Sequence, residues 1–239
     1  MGKTMQGAFD MAYHHIDAPT VQDDEWGKEH KSRKLCVPDA SNSNLEIYRS
    51  KLIAYLSDNL WSYTRKIDGA NLRVQWNGEQ ALWNGKSNNF CCGSQLTEYM
   101  NKTFIEEIFE EKFGRDKIVT LFGEHMGPKV QGNELGLKKD EFILYDVNID
   151  GTWLEEEDVI EIAKYFGLRT VHDFMEGGFG QPASLAFLIE RVERGDFKDW
   201  EGIVATPLAE CRDQKGGRVI VKVKNKDYLR TEGGKNDER

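Results

Sequence analysis

The sequence contains no apolar run that approaches the roughly 20 residues a membrane-spanning helix needs. Its first residues, MGKTMQGAFDMAYHH, lack the continuous apolar segment of a secretory signal and the Ser or Thr of a myristoylation signal. Of its 239 residues, 39% are hydrophobic and 31% are charged. That length allows one large domain or two small ones. We therefore expect a soluble, globular protein of the cytoplasm with no membrane partner.

Cysteine is scarce, and its spacing excludes a structural zinc site. Neither CxxC nor a Cys/His pattern occurs. The four cysteines are Cys36, Cys91, Cys92 and Cys211. Free thiols in a reducing compartment are the expected state.

Three common nucleotide and metal motifs are also absent. Gly85-Lys86-Ser87 is similar to the end of a P-loop, but the first glycine of that motif would fall on Gln80. The glycine-rich segment 177–182 has no strand before it of the kind a dinucleotide fingerprint requires. His125 lacks the second histidine of a zinc-hydrolase HExxH motif.

The charge distribution leaves nucleic-acid binding open. The net charge of −9 argues against a general nucleic-acid binder. Residues 212–239, however, hold nine Lys or Arg against five Asp or Glu, while acid concentrates at residues 155–158. A basic face on an acidic protein is compatible with this pattern.

The apolar pattern alternates between helices and strands. Helical spacing predicts helices at 43–60, 94–113, 155–166 and 183–194. Alternating or short apolar runs predict strands at 71–76, 80–83, 118–122, 141–147, 200–207 and 218–224. Asn77-Gly78 predicts a hairpin with a type I′ turn, and Asn84-Gly85 predicts a second turn. Antiparallel strands mixed with helices indicate an α+β fold.

Side chains suited to a nucleoside triphosphate accompany these strands. Lysines neutralise phosphates, carboxylates hold Mg²⁺, and an aromatic ring stacks on a base. The side chains concerned are Lys66, Glu124, Tyr145, Asp146, Glu201, Lys222 and Lys224. Each has an ordinary alternative, such as a solvated meander for Lys66 or an edge strand with protective lysines for the last pair. Together they predict a nucleotide site without a P-loop.

The order of these motifs resembles the covalent nucleotidyltransferases, which include ATP-dependent RNA and DNA ligases and mRNA capping enzymes. Lys66-Ile67-Asp68-Gly69 is similar to their KxDG nucleophile motif. The other four motifs correspond to residues 122–124, 142–146, 201–204 and 222–224. The resemblance implies a nucleotidyltransferase (ATP-grasp-like) fold of antiparallel sheets flanked by helices over residues 43–230. It also implies an N-terminal segment 1–42 packed on that domain, a flexible tail 231–239 and no OB-fold domain.

Within this superfamily the sequence is most similar to phage RNA ligases that seal nicks, which would place it in a host cytoplasm. Asn71 stands where DNA ligases and capping enzymes usually carry arginine, and the loop 127–136 (GPKVQGNELG) looks like theirs. Lys86 departs from the pattern, because the RNA ligases generally have arginine there. Lysine keeps the charge but loses the bidentate fork, which weakens contacts to phosphate.

The resemblance implies joining of RNA 3′-hydroxyl and 5′-phosphate ends, in a nicked duplex for example, through lysyl-AMP and an adenylated polynucleotide. ATP and Mg²⁺ (or Mn²⁺) are the implied cofactors, and a monomer is the implied state. The implied catalytic residues are Lys66, Asp68, Asn71, Glu201, Lys222 and Lys224. ATP contacts fall to Lys66, Ile67, Gly69, Lys86, Glu124, Tyr145 (stacked on adenine), Glu201, Lys222 and Lys224. The implied metal ligands are Glu124, Asp146 and Glu201, and the implied contacts to substrate phosphate are Arg73 and Lys86.

Three other functions are compatible with the same motifs. An ATP-dependent DNA ligase would seal nicked DNA in preference to nicked RNA. A capping enzyme would use GTP. A non-catalytic nucleotide- or RNA-binding protein of the same fold would keep its function in a Lys66→Ala variant.

Overall fold

A computed structural model describes residues 51–85, 92–175, 180–213 and 216–228. The described chain divides into two compact units. The first spans residues 67–174, and the second combines residues up to 66 with those from 175 onward. The elements, in chain order, are α1 (Lys51–Leu56), β1 (Leu60–Lys66), β2 (Ala70–Trp76), β3 (Ala81–Gly85), α2 (Ser94–Thr103), α3 (Glu106–Phe113), β4 (Val119–Met126), β5 (Glu141–Ile149), β6 (Thr152–Trp153), α4 (Glu156–Phe166), β7 (Arg169–Thr170), β8 (Ala183–Ser184), α5 (Leu185–Glu193), β9 (Gly202–Pro207), β10 (Val221–Lys224) and α6 (Asn225–Tyr228).

The first unit is built on a sheet in which the described strands follow the order β3-β2-β4-β5-β6. Neighbours along this path are antiparallel, and β7 adds to β5 in parallel. Alternation along β2 puts Leu72, Val74 and Trp76 in the core. Strands β4 and β5 add further core residues, and helices α2, α3 and α4 contribute Met100, Phe109 and Phe166.

The second unit is a sheet of order β10-β9-β1-β8 among the described strands, packed against helix α5. Alternate residues of three strands face the core: Trp61 and Tyr63, Ile203 and Ala205, Val221 and Val223. The opposite face of the same strands therefore carries Lys66, Lys222 and Lys224. Helix α5 begins at Leu185, two residues after the predicted start, and the Ser184 hydroxyl caps it by accepting a hydrogen bond from Phe187 N at 3.2 Å.

These sheets and helices confirm the predicted α+β class with antiparallel sheets. Helix α4 matches its prediction closely, since acidic residues occupy its first turn and Gly167 ends it in the left-handed conformation. No helix within the described residues is long and apolar enough to cross a membrane. Cys92 and Cys211 are free thiols, as expected.

The predicted helix 94–113 was wrong in one respect, because the structure breaks it into α2 and α3. Phe104 leaves helical geometry at φ −110° and ψ 66°. Its ring is buried and packs edge-on against Phe142 at 5.2 Å between centroids. Burial of this ring explains the break, since packing outweighs the continuous apolar stripe that indicated one helix.

The hairpin after Trp76 is confirmed, but its turn is not the predicted two-residue type I′. Trp76 pairs with Ala81, so four residues, 77–80, make the connection. The Asn77 side chain accepts hydrogen bonds from Glu79 N and Gln80 N at 2.9 and 2.8 Å, which stabilises this wider loop. The second predicted turn was also wrong, because Asn84 and Gly85 lie within β3.

The strand that ends at Lys66 was not predicted. Helix α1 ends at Leu56 rather than at residue 60, and β1 begins at Leu60. The alternation of buried Trp61 and Tyr63 with less buried neighbours is the signal that indicates this strand. The predicted segments 1–42 and 231–239, Lys86, Cys36 and Cys91 lie outside the described residues, so those predictions stay predictions.

Candidate active site

Two lysines and a carboxylate meet on the second unit's sheet. Gly202 pairs with Lys66 on one side and with Lys224 on the other. Glu201 directly precedes Gly202, and its side chain lies beside both lysines. The Lys66 amine donates to one oxygen of the Glu201 carboxylate, and the Lys224 amine donates to the other.

This cluster is half-buried and carries a net positive charge. The side chains of Lys66, Glu201 and Lys224 are 22%, 14% and 20% exposed. Burial by itself would raise the pKa of Glu201, but the hydrogen bonds from Lys224 and then Lys66 outweigh it and hold the pKa below its ordinary value. Glu201 is therefore ionised at neutral pH, between two ammonium groups. Lys222, two residues before Lys224, extends the positive charge on the same face.

Gly202 permits the close approach of β9 and β10 at this cluster. Its φ is +152°, and a Cβ there would lie 2.1 Å from Val223 O and 2.7 Å from Lys224 Cα. A side chain would push the backbone of β10, and Lys224 with it, away from Glu201.

We expect Gly202→Ala to destabilise the protein by about 2–4 kcal/mol, because backbone strain and overpacking add. Urea unfolding measures this loss. Gly151→Ala is the matched control, since Gly151 also has positive φ (+89°) but open space around its Cβ position. A Gly202→Ala variant as stable as Gly151→Ala would contradict the packing described here.

A second polar cluster lies in the first unit, where three neighbouring strands contribute one residue each. Asn71 on β2 pairs across the sheet with Glu124 on β4. The Asn71 amide donates to the hydroxyl oxygen of Tyr145 on β5. Burial, followed by the Glu124 charge, raises the pKa of Tyr145 well above its ordinary value, although the Asn71 hydrogen bond opposes this shift. Tyr145 is therefore a neutral phenol whose hydroxyl contacts Asn71 and whose side chain packs against the apolar cluster that contains Ile67 and Met126.

A break in the strand register explains the position of Tyr145. Phe122 pairs with Asp146, but the next residue, Gly123, pairs with Leu144. Tyr145 is thus the extra residue of a β-bulge, a feature that commonly re-aims a side chain beside a functional site. Gly123 itself is required here, because a Cβ would lie 2.4 Å from the Phe142 ring.

The KxDG segment passes from one unit to the other. Ile67 is buried in an apolar cluster with Met126 and Leu137, so its side chain belongs to the core. The Asp68 backbone N–H donates to the Glu134 carboxylate at 3.3 Å. A Cβ on Gly69 would lie 2.4 Å from His125 O. Glu134 lies in the loop 127–136 and was not among the predicted site residues.

The structure also locates the residues assigned to metal and substrate phosphate. Asp146 is buried and accepts a hydrogen bond from Val147 N at 3.1 Å. Across the described ranges, no group of three or more His, Cys, Asp or Glu is placed to hold a metal ion. Arg73 is 4% exposed within β2, so contact with an RNA phosphate would require its surroundings to open. These assignments stay predictions.

Comparison with known proteins identifies the family. The profile of the family described as RNA ligase matches residues 59–224, well over half of the chain. No curated protein matches. Similar solved structures include three of mutant Naegleria gruberi RNA ligase: with AMP and Mn (16% identity, TM-score 0.55), with ATP and Mn (17%, 0.54), and apo (18%, 0.54).

These matches differ in what they establish. Each covers 74% of this chain, which spans about half (53%) of the solved chains. At this identity they show that the fold is similar to that of the Naegleria gruberi RNA ligase. The family match includes both the Lys66 cluster (Lys66, Glu201 and Lys224) and the Tyr145 cluster (Asn71, Glu124 and Tyr145). The chain belongs to the RNA ligase family.

Proposed function

We propose that this protein is an ATP-dependent RNA ligase that works through a covalent lysyl-AMP. The observation that carries the proposal is the pairing of Lys66 and Lys224 with one carboxylate, Glu201, within the residues that the family profile matches. The Naegleria gruberi structures, which contain ATP or AMP with Mn, support a nucleotide and a divalent cation as ligands.

In the first step, the Lys66 ammonium loses a proton to water and the neutral amine attacks the α-phosphorus of ATP, releasing a second proton to water as the bond forms. A P–N bond forms, the P–O bond to pyrophosphate breaks, and pyrophosphate leaves. Lys224 and Lys222 supply positive charge beside the phosphoryl oxygens, whose negative charge increases in the transition state. Glu201 orients both lysine amines and so limits the positions that the nucleophile can take.

The second and third steps transfer the AMP and then release it. A 5′-phosphate oxygen of the polynucleotide attacks the phosphorus of lysyl-AMP, which frees Lys66 and leaves an adenylated 5′ end. A 3′-hydroxyl then attacks the 5′-phosphate, a phosphodiester forms, and AMP leaves. We assign Asn71 and Asp68 to these later steps from the family motifs.

The Tyr145 cluster is our candidate for the adenosine part of ATP. The Tyr145 side chain is neutral, and its hydroxyl accepts a hydrogen bond from Asn71. Its ring is suited to stacking on adenine. Glu124, the cross-strand partner of Asn71, offers a carboxylate for a ribose hydroxyl. We assign Gly69 to the close approach of backbone and nucleotide, as in the KxDG motif.

The described carboxylates fit a divalent cation that is shared with substrate. Mg²⁺ is commonly held by one or two carboxylates together with phosphate oxygens, so a cluster of three is not required. Glu124, Asp146 and Glu201 are the candidate carboxylates, and both oxygens of Glu201 also accept hydrogen bonds from lysine. The cation would supply charge neutralisation at the phosphates.

Substrate preference separates RNA ligase from DNA ligase. We expect faster joining of a nicked duplex with an RNA 3′-hydroxyl end than of the same nick in DNA, because Asn71 and the 127–136 loop resemble nick-sealing RNA ligases. Gel electrophoresis of 5′-labelled strands measures both rates, and single-stranded RNA of the same sequence shows whether a duplex is needed.

Equal or faster DNA joining would favour the DNA ligase function. No joining of any strand, together with no transfer of AMP to the protein, would favour a non-catalytic binding protein. ATP replaced by GTP in the same assay tests the capping-enzyme alternative.

A further inference from the structure

The turn that carries Glu201 lies outside the strand ladder. Strand β9 begins at Gly202, so the ladder fixes Gly202 against Lys66 and Lys224 but does not fix Glu201. We refer to residues 197–201 as the Glu201 turn. Its own backbone makes a hydrogen bond from Trp200 N to Phe197 O at 2.9 Å. The position of the carboxylate therefore depends on what else holds this turn.

Asn225 holds the Glu201 turn through three hydrogen bonds. Its side-chain amide donates to Phe197 O and to Trp200 O, both at 2.6 Å. Its backbone N–H donates to Glu201 O at 2.9 Å. Asn225 is 7% exposed and directly follows Lys224. One buried residue thus connects the end of the lysine strand to the backbone of the carboxylate.

Arg65 contacts the same turn from the strand of the other lysine. It directly precedes Lys66, and its guanidinium donates to Asp199 O at 3.4 Å. The guanidinium carbon also lies 5.5 Å from the centroid of the Trp200 ring, which stacks on Phe197 at 4.9 Å. The neighbours in sequence of both cluster lysines therefore hold the turn that presents Glu201 to them.

We infer that Asn225 is a positioning residue for lysine adenylation, acting through Glu201 and Lys224. This inference rests on the proposed function, because it concerns the rate of AMP transfer to Lys66. Its physical basis is geometric: a displacement of about 1 Å in a reacting group can cost on the order of 10²-fold in rate. The Asn225 amide ties the carbonyls of Phe197 and Trp200 to the end of β10, and its removal breaks both of these hydrogen bonds.

Single-turnover adenylation of the full chain tests the inference. Protein stripped of AMP with pyrophosphate is mixed with saturating ATP labelled at the α-phosphate, and two quantities are read, the rate constant and the final amplitude. We expect Asn225→Ala to lower the rate constant about 10- to 100-fold. The final amplitude, which reports the fraction of folded protein, should stay that of wild type. Asn225→Ser, which keeps one hydroxyl donor, should lie between Asn225→Ala and wild type.

Ser184→Ala is the control for a purely structural effect. It removes the cap of helix α5 in the same unit and should reduce stability without changing the rate constant. If Asn225→Ala lowers only the amplitude, or leaves both quantities unchanged, the inference is overturned while the proposed function stands. If Asn225→Ala does not fold, Asn225→Ser is judged by the same two quantities. If wild type takes no label, the proposed function itself fails.

Discussion

Lys66→Ala is expected to lose ATP-dependent joining of RNA, by roughly 10⁴-fold or more, because a methyl group cannot form the P–N bond of the first step. Lys66→Arg should fail equally. Its guanidinium keeps a positive charge beside Glu201 but does not attack phosphorus at neutral pH. Joined product from a 5′-phosphorylated nicked RNA, followed on a denaturing gel, gives the rates for wild type and both variants.

A pre-adenylated RNA strand provides the matched control for this loss. The third step needs no covalent bond to lysine, so the Lys66 variants should still join a strand that already carries AMP on its 5′-phosphate. Retained joining would show that the variants fold and bind RNA. ATP-dependent joining by Lys66→Ala at a rate near that of wild type would contradict the role given to Lys66.

Glu201→Gln is expected to slow adenylation by about 10²-fold. The amide keeps the size of the side chain but removes the negative charge between two ammonium groups. Lys66 and Lys224 are only about one-fifth exposed, so they would then repel each other with little screening by water. The single-turnover rate of AMP transfer measures the effect.

The effect of Glu201→Gln on the stability of the protein is expected to depend on pH. Because the folded-state pKa of Glu201 is lowered, its ionised form contributes stability above the ordinary carboxyl pKa of 4.5, and this contribution is lost as pH falls through the lowered value. The stability difference between wild type and Glu201→Gln should therefore be full at neutral pH and shrink below about pH 4.5. Urea unfolding at several pH values measures it.

Glu161→Gln is the matched control for Glu201→Gln. Glu161 also pairs with a lysine, Lys112, at 3.1 Å, but its side chain is 72% exposed. Such a pair contributes at most about 1 kcal/mol, and often nothing measurable. Equal losses of stability in the two variants would contradict the half-buried environment described for Glu201.

Much of the cluster could be predicted because its residues occur in short motifs on strands with clear alternation. Lys222 and Lys224 share a face in any strand, and the valines between and beside them indicate the buried face. Glu201 was expected at the start of a strand, and it directly precedes the first residue of β9, Gly202. The strand that ends at Lys66 was not predicted, because the glycine and turn residues that follow Lys66 indicate a turn.

The remaining features depend on contacts between residues far apart in sequence. The bulge at Tyr145 arises from pairing with β4 and has no signal within β5 itself. The break at Phe104 depends on a ring that comes from β5, Phe142. Asn225 follows a strand and has no sequence motif around it that indicates a role. Its hydrogen bonds to Phe197 and Trp200, 28 and 25 positions earlier in the chain, show that it holds the Glu201 turn.

The most direct test of the account is the site of AMP attachment. Protein stripped with pyrophosphate is incubated with Mg²⁺ and ATP labelled at the α- or the γ-phosphate, denatured, digested and analysed by mass spectrometry. We predict that α-label alone stays with the protein, through an acid-labile P–N bond on the peptide that contains Lys66. Absence of label on stripped wild type, or AMP on a different residue, would contradict it.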